Sequence, residues 1–600
     1  MFDIMKPDMD PRTEYMNRIE QRRMGAAGRD RLHHRIGNTR LAVFIAAAVT
    51  AWLAFISQML SPWWLLTLAA GFLALVIWHG RVLLQLQRFK RSIVFFENGI
   101  SRLDEQWDSI GEQGERFGDP SHPYAQDLDL FGKGSLFQLL CNARTHGGED
   151  KLASWLKASA PLEEIRSRQS AVEELRSRLD LREDLAILGT DVGAGVNPDL
   201  LLKWAQGPET FHSVAVRILA VLIALGTVAS LIFWGLGGRS LWFFAMILIE
   251  LIFVFYFRRV IGPVVHSAEH ACQDLRLLSL VLARLEKEQF KTDHLRKLRL
   301  ALDSHCMAPS RSIARLNFLI VLLDSLRNQL FAPFAFILLW EIQISFFIEN
   351  WRKIHGRAVA GWLEATAEME AVSSLAAYAF EHPKDPFPEL SEQSPCFDGE
   401  GIGHPLLPQA KCVRNDVRLT DGDRVLVVSG SNMSGKSTLL RTIGINTVLA
   451  LAGAPVRAQK LKISPLALGA SIRILDSLQG GSSRFYTEIT RLKQLVTLAE
   501  GPVPLLFLLD ELLHGTNSHD RRVGAEAVIK GLVRRGAVGL LTTHDLALVH
   551  IVEALAPHAA NVHFEDHIEN GRIAFDYRLH KGIVRKSNAL ELMRSIGLEV

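Results

Sequence analysis

Residues 424–438 have the sequence RVLVVSGSNMSGKST, an apolar run followed directly by a glycine-containing loop. The run from Val425 to Val428 predicts a buried strand, and the residues from Leu439 onward predict a helix. Between them, residues 430–437 fit the pattern G-x-x-x-x-G-K-[ST] of a phosphate-binding loop, which requires this strand–loop–helix context. The alternative is a chance glycine-rich turn, and the flanking strand and helix argue against it. The sequence therefore predicts an α/β P-loop NTPase domain in the C-terminal part of the chain.

This loop also predicts a role for each of its residues. Glycines allow backbone N–H groups to surround phosphates, and the following helix directs its positive end toward them. Lys436 would reach the outer phosphates of ATP, and Ser437 would hold Mg²⁺. The predicted nucleotide contacts are Gly430, Ser431, Asn432, Met433, Ser434, Gly435, Lys436, Ser437 and Thr438.

A second strand in this domain ends in two carboxylates. Residues 505–511 have the sequence LLFLLDE. Asp510 suits the water shell of Mg²⁺, and Glu511 suits orientation or deprotonation of the attacking water. A strand that ends in Asp-Glu is common, but its distance behind a phosphate loop is typical of an ATPase.

The composition indicates several units, part of them in a membrane. Six hundred residues exceed one core, and the mean hydropathy of +0.14 is high for a wholly soluble protein. The net charge of +3 does not by itself indicate a nucleic-acid-binding protein. The five cysteines include no C-x-x-C pair, so neither a zinc site nor a disulfide framework is predicted.

Two pairs of apolar runs predict helical hairpins across a bilayer. The first pair comprises residues 41–60 and 63–79, and the second comprises residues 218–236 and 240–257. Tryptophans at the ends of the first runs suit an interfacial belt and argue against a buried soluble hairpin. Basic flanks predict a multi-pass protein of the inner (cytoplasmic) membrane, with its N-terminus and ATPase domain in the cytoplasm.

Two features near these hairpins stay open at this stage. Glu250 lies inside the last apolar run, where an ionisable residue is often functional, although the favoured interpretation is that it faces a neighbouring helix and is protonated or hydrogen-bonded. Residues 316–348 are apolar but carry charges and Pro333. Because a fifth crossing would place the ATPase outside the cell, we expect this stretch to be buried or to lie against the membrane, unless it re-enters as a pair.

Together these patterns predict an all-α region that is interrupted by transmembrane hairpins and precedes the ATPase domain. The predicted segments are a basic cytoplasmic arm (1–40), a first hairpin (41–80), a first part of a helical core (98–210), a second hairpin (217–257), a second part of the core and lever (258–380), a linker (382–408) and the ATPase domain (401–600).

An ordered series of motifs resembles the MutS family of DNA mismatch-repair proteins. GSNMSGKST resembles its phosphate loop, SSRFYTEI its S-T-F-x-x-E-M motif, DELLHGTNSHD its D-E-x-G-R-G-T-S-T-x-D motif, and LTTHDL its T-H-Y-x-x-L motif. AGAPVRA, GHPLLP, VRNDVRL and the C-terminal GRIAFDYRLHKGIVRKSNALELMRSIGL resemble further elements of that ATPase. Parts of residues 127–190 and 369–379 are similar to the family's helical core.

The resemblance implies a composite ATPase site in a homodimer. Asn432 would help to hold the triphosphate and Mg²⁺, and His544 would sense the γ-phosphate beside the catalytic Glu511 and Lys436. Ser483 would reach across the dimer interface to the partner subunit's nucleotide, with residues 516–520 nearby. Taken alone, Ser483 could be a helix cap and His544 a packed strand-end residue.

The sequence departs from the family pattern at two positions of the ATPase motifs and in the regions that would recognise DNA. Ser434 stands where the family usually has Gly, and His514 where it usually has Arg; neither change removes a catalytic group. Phe95-Phe96-Glu97 matches the family's Phe-x-Glu wedge, but it follows a membrane hairpin. We therefore interpret the match as chance and expect the mismatch-recognition domain and a recognisable DNA clamp to be missing.

Three functions follow from these observations. The first is a membrane-anchored MutS-like ATPase that is coupled to mismatched or branched DNA. The second is a membrane-tethered ATPase switch that acts on a protein partner without DNA. The third is an ABC-type transporter half, because membrane helices and an ATPase share the chain; residues 478–482, LQGGS, also superficially resemble that class's signature. Four spans split by a helical domain, and a short distance from Lys436 to Asp510, argue against the transporter.

Overall fold

A computed structural model of the chain describes residues 10–208, 214–302, 307–325, 331–393, 395–431, 433–473, 484–513, 517–545, 549–569 and 572–584. The N-terminal two thirds are helical, and the C-terminal third is an α/β domain with two sheets.

The chain begins with a long antiparallel helical hairpin formed by α1 (Pro11–Phe55) and α2 (Trp64–Leu103). Helix α1 starts with Pro at its first position, and Asp10 caps it by accepting a hydrogen bond from the Thr13 N–H at 3.2 Å. Residues 11–40 of the basic arm and residues 41–55 of the first apolar run therefore form one continuous helix. Phe96 of the wedge-like triplet is fully buried against Tyr15, so it belongs to the core here.

Three helices are long and apolar enough to span a membrane: two are α1 and α2, and the third covers Ala215–Gly235 of α8 (Val214–Gly235). A shorter apolar segment, Leu241–Phe257, opens α9 (Leu241–Leu285). These helices overlap the four predicted runs, although α1 ends at Phe55, before the end of the first run at residue 60, and α2 continues beyond the second run to Leu103. Only 6% of the apolar window in each of the first two helices is buried inside the protein, so their side chains face outward.

The helical core surrounds a 42-residue helix, α13 (Trp340–Glu381). This helix packs against most of the core helices and runs from the second hairpin to the edge of the α/β domain. The other core helices are α3 (Leu136–Leu140), α4 (His146–Lys157), α5 (Leu162–Arg176), α6 (Leu179–Gly195), α7 (Pro198–Gln206), the second half of α9, α10 (Asp293–Leu302), α11 (Pro309–Asp324) and α12 (Ala332–Ile337). The apolar stretch 316–348 thus comprises most of α11, all of α12 and the start of α13.

The α/β domain contains a six-stranded sheet with the order β10-β9-β4-β8-β7-β6, parallel except for the edge strand β10. Its strands are β4 (Val425–Ser429), β6 (Ala467–Ser471), β7 (Leu505–Asp510), β8 (Val538–Thr543), β9 (Ala559–Glu569) and β10 (Arg572–Lys581). Its helices are α14 (Lys436–Ala452), α15 (Arg484–Leu498), α16 (Ser518–Arg534) and α17 (Ile551–Leu555).

A smaller sheet has the order β1-β5-β2-β3; three of its strands precede the phosphate-loop strand β4 in the chain, and β5 follows it. Its strands are β1 (Glu389–Leu390), β2 (Phe397–Ile402), β3 (Asn415–Leu419) and β5 (Lys460–Ile463). The segment that the sequence suggested as a linker therefore contains two strands. The pairing of β2 with β5 joins residues about sixty positions apart, which local turn residues cannot indicate.

Successive side chains of β4 point to opposite faces of the sheet, and both faces are covered. Leu426 and Val428 belong to the large core that continues into the helical region, whereas Val425 and Val427 pack in a second core with residues of α15 and α16. The sheet is therefore buried on both sides, and its strand ends meet at one edge.

Candidate functional site

The loop between β4 and α14 is shaped by Gly435, which has a φ of +102°. A Cβ at this position would lie 3.2 Å from Cδ1 of Tyr577 on β10. Only glycine combines this left-handed backbone with the close aromatic neighbour at little cost. The loop consequently turns directly into the N-terminus of α14, where backbone N–H groups favour a bound anion.

Lys436, the first residue of α14, folds back over this loop. Its Nζ donates hydrogen bonds of 2.8 Å to the carbonyl oxygens of Gly430 and Ser431. The side chain is nearly buried, and this desolvation lowers the pKa of Lys436, while the nearby Glu511 and Asp510 carboxylates oppose the shift. The ammonium group is thus poised within the loop and surrounded by acceptors that phosphate oxygens could replace.

Two serine hydroxyls in the loop are buried without a hydrogen bond among the described residues. They belong to Ser431 and Ser434. Such groups are rare in folded proteins because desolvation of an unpaired hydroxyl is unfavourable. A bound phosphate would supply the missing acceptor. Met433 points the other way and is 85% exposed, and Thr438, on the first turn of α14, is also exposed.

The Asp510 carboxylate connects the loop to the neighbouring strands. Ser437 donates a hydrogen bond of 2.5 Å to its Oδ2, and Thr542 donates a hydrogen bond to its Oδ1. Asp510 and Thr542 are direct neighbours in the β7–β8 pairing. Because β4, β7 and β8 are parallel, their carboxyl ends bring these oxygens to the same edge of the sheet.

The oxygens of Ser437 and Asp510 fit Mg²⁺. This ion prefers hard oxygen ligands and is usually held by one or two protein groups, with phosphate oxygens and water completing its shell. The hydroxyl and the carboxylate are close enough to share one ion. Among the described residues, no cluster of three or more His, Cys, Asp or Glu side chains is arranged to hold a metal, so a fully protein-caged ion is not indicated there.

Glu511 and His544 form the outer side of the site. The His544 Nδ1 lies 2.9 Å from Oε1 of Glu511, and both side chains are partly exposed. Glu511 has a φ of +48°, a left-handed conformation that is uncommon outside glycine and often found at functional sites. Its N–H donates to the Thr542 carbonyl at 3.2 Å, which holds the carboxylate at the strand end.

Several predicted residues lie outside the described residues. Asn432, Ser483, His514 and Thr516 belong to this group, so the structure does not describe them; the loop pattern and the resemblance support the role of Asn432, and the resemblance supports that of Ser483. The described part of the site contains the lysine, the paired serine and aspartate, and the Glu511–His544 pair, all within one edge of the six-stranded sheet.

The structure adds three residues to which the sequence analysis gave no role. Glu488 is almost fully buried and accepts a hydrogen bond from the Leu513 N–H, so it supports the turn after Glu511. Thr542 orients Asp510, and Tyr577 packs beside Gly435. All three fall within motifs already quoted, and that position was the available signal; Tyr577 lies where the β9–β10 register shifts, and its approach to Gly435 follows from the fold.

Comparisons with known proteins match the C-terminal part of the chain. Residues 426–599 match MutS domain V. The chain is 34% identical over 203 residues to the endonuclease MutS2 of Thermus thermophilus. This alignment covers 32% of this chain and 25% of that protein. It is 33% identical over 247 residues to the DNA mismatch repair protein MutS 2 of Halobacterium salinarum, covering 39% and 27%.

A mammalian relative extends this pattern. MutS protein homolog 4 of Mus musculus is 33% identical over 195 residues, covering 31% of this chain and 20% of that protein. In these alignments the chain spans about a quarter of the length of the curated relatives that it matches. The matches support MutS family membership through the C-terminal domain.

Proposed function

We propose that this chain is a Mg²⁺-dependent ATPase of MutS type that is anchored in the membrane and works as a homodimer. The observation that carries the proposal is the loop itself: the buried Lys436 and the unpaired Ser431 and Ser434 hydroxyls lie in one loop, next to the Ser437–Asp510 pair at the end of parallel strands. The match of residues 426–599 to MutS domain V supports the same assignment.

In this proposal each side chain has a defined task. The loop N–H groups, the two hydroxyls and Lys436 bind the phosphates, and Ser437 and Asp510 hold Mg²⁺, which neutralises charge on them. Glu511 accepts a proton from the attacking water or orients it, and His544 contacts Glu511 close to where the γ-phosphate would lie. Ser483 of the partner subunit would complete the site.

Membrane anchoring forms the second part of the proposal. Three helices and the apolar segment Leu241–Phe257 provide four candidate spans in two hairpins. An even number of crossings keeps the N-terminal arm and the ATPase domain on the same side, and the basic residues beside the hairpins favour the cytoplasmic side of the inner membrane.

Coupling to DNA is the third part, and the relatives support it. Two relatives are named as a mismatch repair protein and an endonuclease. We propose that mismatched or branched DNA changes the ATPase rate through the helical core. The long helix α13 joins that core to the α/β domain and supplies a physical route for such coupling.

The test is ATP hydrolysis by the detergent-purified chain, alone and with homoduplex, mismatched, branched and single-stranded DNA. Salt is fixed at one moderate concentration because phosphate contacts make DNA binding steeply salt-dependent. The proposal expects hydrolysis that requires Glu511 and Mg²⁺ and that responds to one DNA structure more than to others. Hydrolysis that is indifferent to every DNA would reject the DNA coupling in favour of a switch acting on a protein, and absence of hydrolysis would reject the ATPase.

A further inference from the structure

An apolar groove of about 460 Å³ lies between α8 and the segment from α11 to α13. One wall consists of Val221, Ala224, Leu225 and Val228, which share one face of α8. The opposite wall is formed by side chains from the ends of three elements: Leu319, Leu322, Leu338, Trp340, Gln343, Ile344 and Phe347. Its volume falls within the range of about 300–1,000 Å³ that is typical of ligand sites.

A cation lies at one end of this groove. Arg217 precedes Val221 by one turn on the same face of α8, and its guanidinium carbon is 4.8 Å from the ring centre of Phe347. Phe347 is itself part of the groove wall. The groove therefore begins at a positive charge and continues along apolar side chains, which is the polarity of an amphipathic ligand.

The orientation of the groove matches a bilayer. Arg217 lies near the N-terminal end of the candidate span Ala215–Gly235, which is the cytoplasmic end in the proposed topology. Side chains of α8 beside the groove are exposed and apolar, including Leu222 at 59% and Leu225 at 61%. The groove is thus continuous with the surface that would contact lipid, and Arg217 lies at the depth of the headgroups.

The apolar stretch 316–348 gains a role from this arrangement. Phe318, Phe334 and Phe347 are exposed on α11, α12 and α13 beside the second hairpin. Trp340 at the start of α13 donates a hydrogen bond of 2.8 Å to the Leu322 carbonyl, which joins α13 to the last turn of α11. This apolar segment therefore lies beside the second span pair, and its last helix continues into the core.

We propose that the groove binds one acyl chain of an anionic glycerophospholipid, with the lipid phosphate at Arg217. The inference rests on the proposed membrane anchoring. A phospholipid suits both ends of the site because its phosphate complements the guanidinium and its acyl chain complements the apolar walls. A wholly apolar occupant would make no use of the cation. Since α13 forms one wall, the bound lipid contacts the helix that leads to the ATPase.

The test uses the full chain in detergent micelles with a limiting amount of phosphatidylglycerol that carries a photoactivatable diazirine on one acyl chain. Labelled peptides are mapped by mass spectrometry. We expect label on the α11 and α13 walls of the groove. Leu225→Trp should fill the groove and reduce this labelling about fivefold or more, because the apolar contact area is lost. Leu222→Trp is the matched control, with similar exposure on the same helix but outside the groove, and should label as the wild type does.

Arg217 is tested with a second lipid. Phosphatidylcholine carrying the same diazirine chain should label the wild-type groove about fivefold less than phosphatidylglycerol does, which corresponds to one cation near anionic lipid. Arg217→Gln should remove this difference. Equal labelling of the Leu225→Trp and Leu222→Trp variants, or equal labelling by the two lipids in the wild type, would overturn the proposal.

The failure of this inference can be distinguished from failure of the proposed function. Alkaline carbonate extraction of membranes first establishes whether the chain is integral. Release into the supernatant would reject the anchoring and with it the lipid site. Retention in the membrane without labelling of the groove would reject the lipid site alone. The ATPase assay is read separately, so an inactive enzyme with a labelled groove would leave the lipid site standing.

Discussion

Gly435 tests whether the loop conformation serves nucleotide binding or folding alone. Gly435→Ala forces a side chain onto a φ of +102° and places its Cβ near Tyr577. Gly536 is a matched control because its φ is +80° and no atom lies within 4 Å of the point that a Cβ would occupy there. Both alanine variants should lose about 1–2 kcal/mol from the left-handed backbone. We expect weaker ATP binding only for Gly435→Ala, measured by titration with a fluorescent nucleotide; equal binding by both variants would contradict this role.

Glu511 should separate hydrolysis from binding. Glu511→Gln preserves the size of the side chain but cannot accept a proton, so phosphate release should fall by about 10²–10⁴-fold. ATP affinity should change little, because Lys436 and the Ser437–Asp510 pair stay intact. Glu500→Gln is the control: this exposed carboxylate pairs with Arg535 in the same domain and should keep wild-type activity. Undiminished hydrolysis by Glu511→Gln would exclude it as the base.

At this scale the sequence analysis identified the residues that follow from local spacing. Lys436 and Ser437 are given by the loop pattern, and Asp510 and Glu511 by the end of an apolar strand. Tyr577 was not identified because its approach to Gly435 depends on β10 pairing with β9, far along the chain from the loop. Local patterns predict which chemistry is present, whereas neighbours from distant strands require the fold.

Among the elements, the ends of three long helices are joined by one buried ion pair. Arg102 at the end of α2 donates to both carboxylate oxygens of Glu381 at the end of α13, at 2.8 and 2.6 Å. Tyr15 of α1 donates to the same carboxylate at 3.1 Å. The first hairpin is therefore fastened to the helix that enters the α/β domain.

Removing one partner of this buried ion pair should strongly destabilise the folded protein. Arg102→Met removes the guanidinium that donates two hydrogen bonds to the buried Glu381 carboxylate, and it should lower the free energy of unfolding by about 3–5 kcal/mol. The double variant Arg102→Met with Glu381→Leu should recover only part of that loss, because the neighbouring Arg182, which also interacts with Glu381, stays buried. Arg12→Met, which breaks the exposed Arg12–Asp104 pair, should cost less than about 1 kcal/mol. Thermal unfolding of the detergent-purified variants measures these effects, and equal melting temperatures for Arg102→Met and Arg12→Met would contradict them.

Helices and buried strands were the elements best predicted from sequence, because periodicity and apolar runs are local properties. The ends of the helices and the short strands were harder to predict from the sequence. Helix α9 continues from the apolar segment to Leu285 without a break, although the composition changes sharply at Phe257. Strands β1 and β2 lie in a segment rich in Pro and Gly, and their pairing with β5 depends on residues after the phosphate loop.

For the whole molecule, the proposed topology predicts which loops are reached from outside the cell. The Ser61→Cys variant places a thiol between α1 and α2, and the Arg239→Cys variant places one between α8 and α9. Both should react with a membrane-impermeant maleimide added to intact cells, because these turns follow the first and the third of four crossings, which places both on the side opposite to the cytoplasm. Ser121→Cys, exposed in the helical core, should react only after lysis, and the wild type reports the background of the natural cysteines. Labelling of Ser121→Cys in intact cells would place the helical core outside the cytoplasm and would contradict the proposed topology.

The composite site predicts an outcome that depends on the whole dimer. Ser483→Ala and Lys436→Ala homodimers should each be inactive if both groups are needed. When the two variants are unfolded or dissociated together and reassembled, about half of the dimers should be mixed. In a mixed dimer the Ser483→Ala subunit keeps its own Lys436 and receives the partner's Ser483, so one of two sites is intact. Hydrolysis should recover to about a quarter of the wild-type rate at equal mixing. If Ser483 acted within its own subunit, each site would lack one group, and mixing would restore no activity.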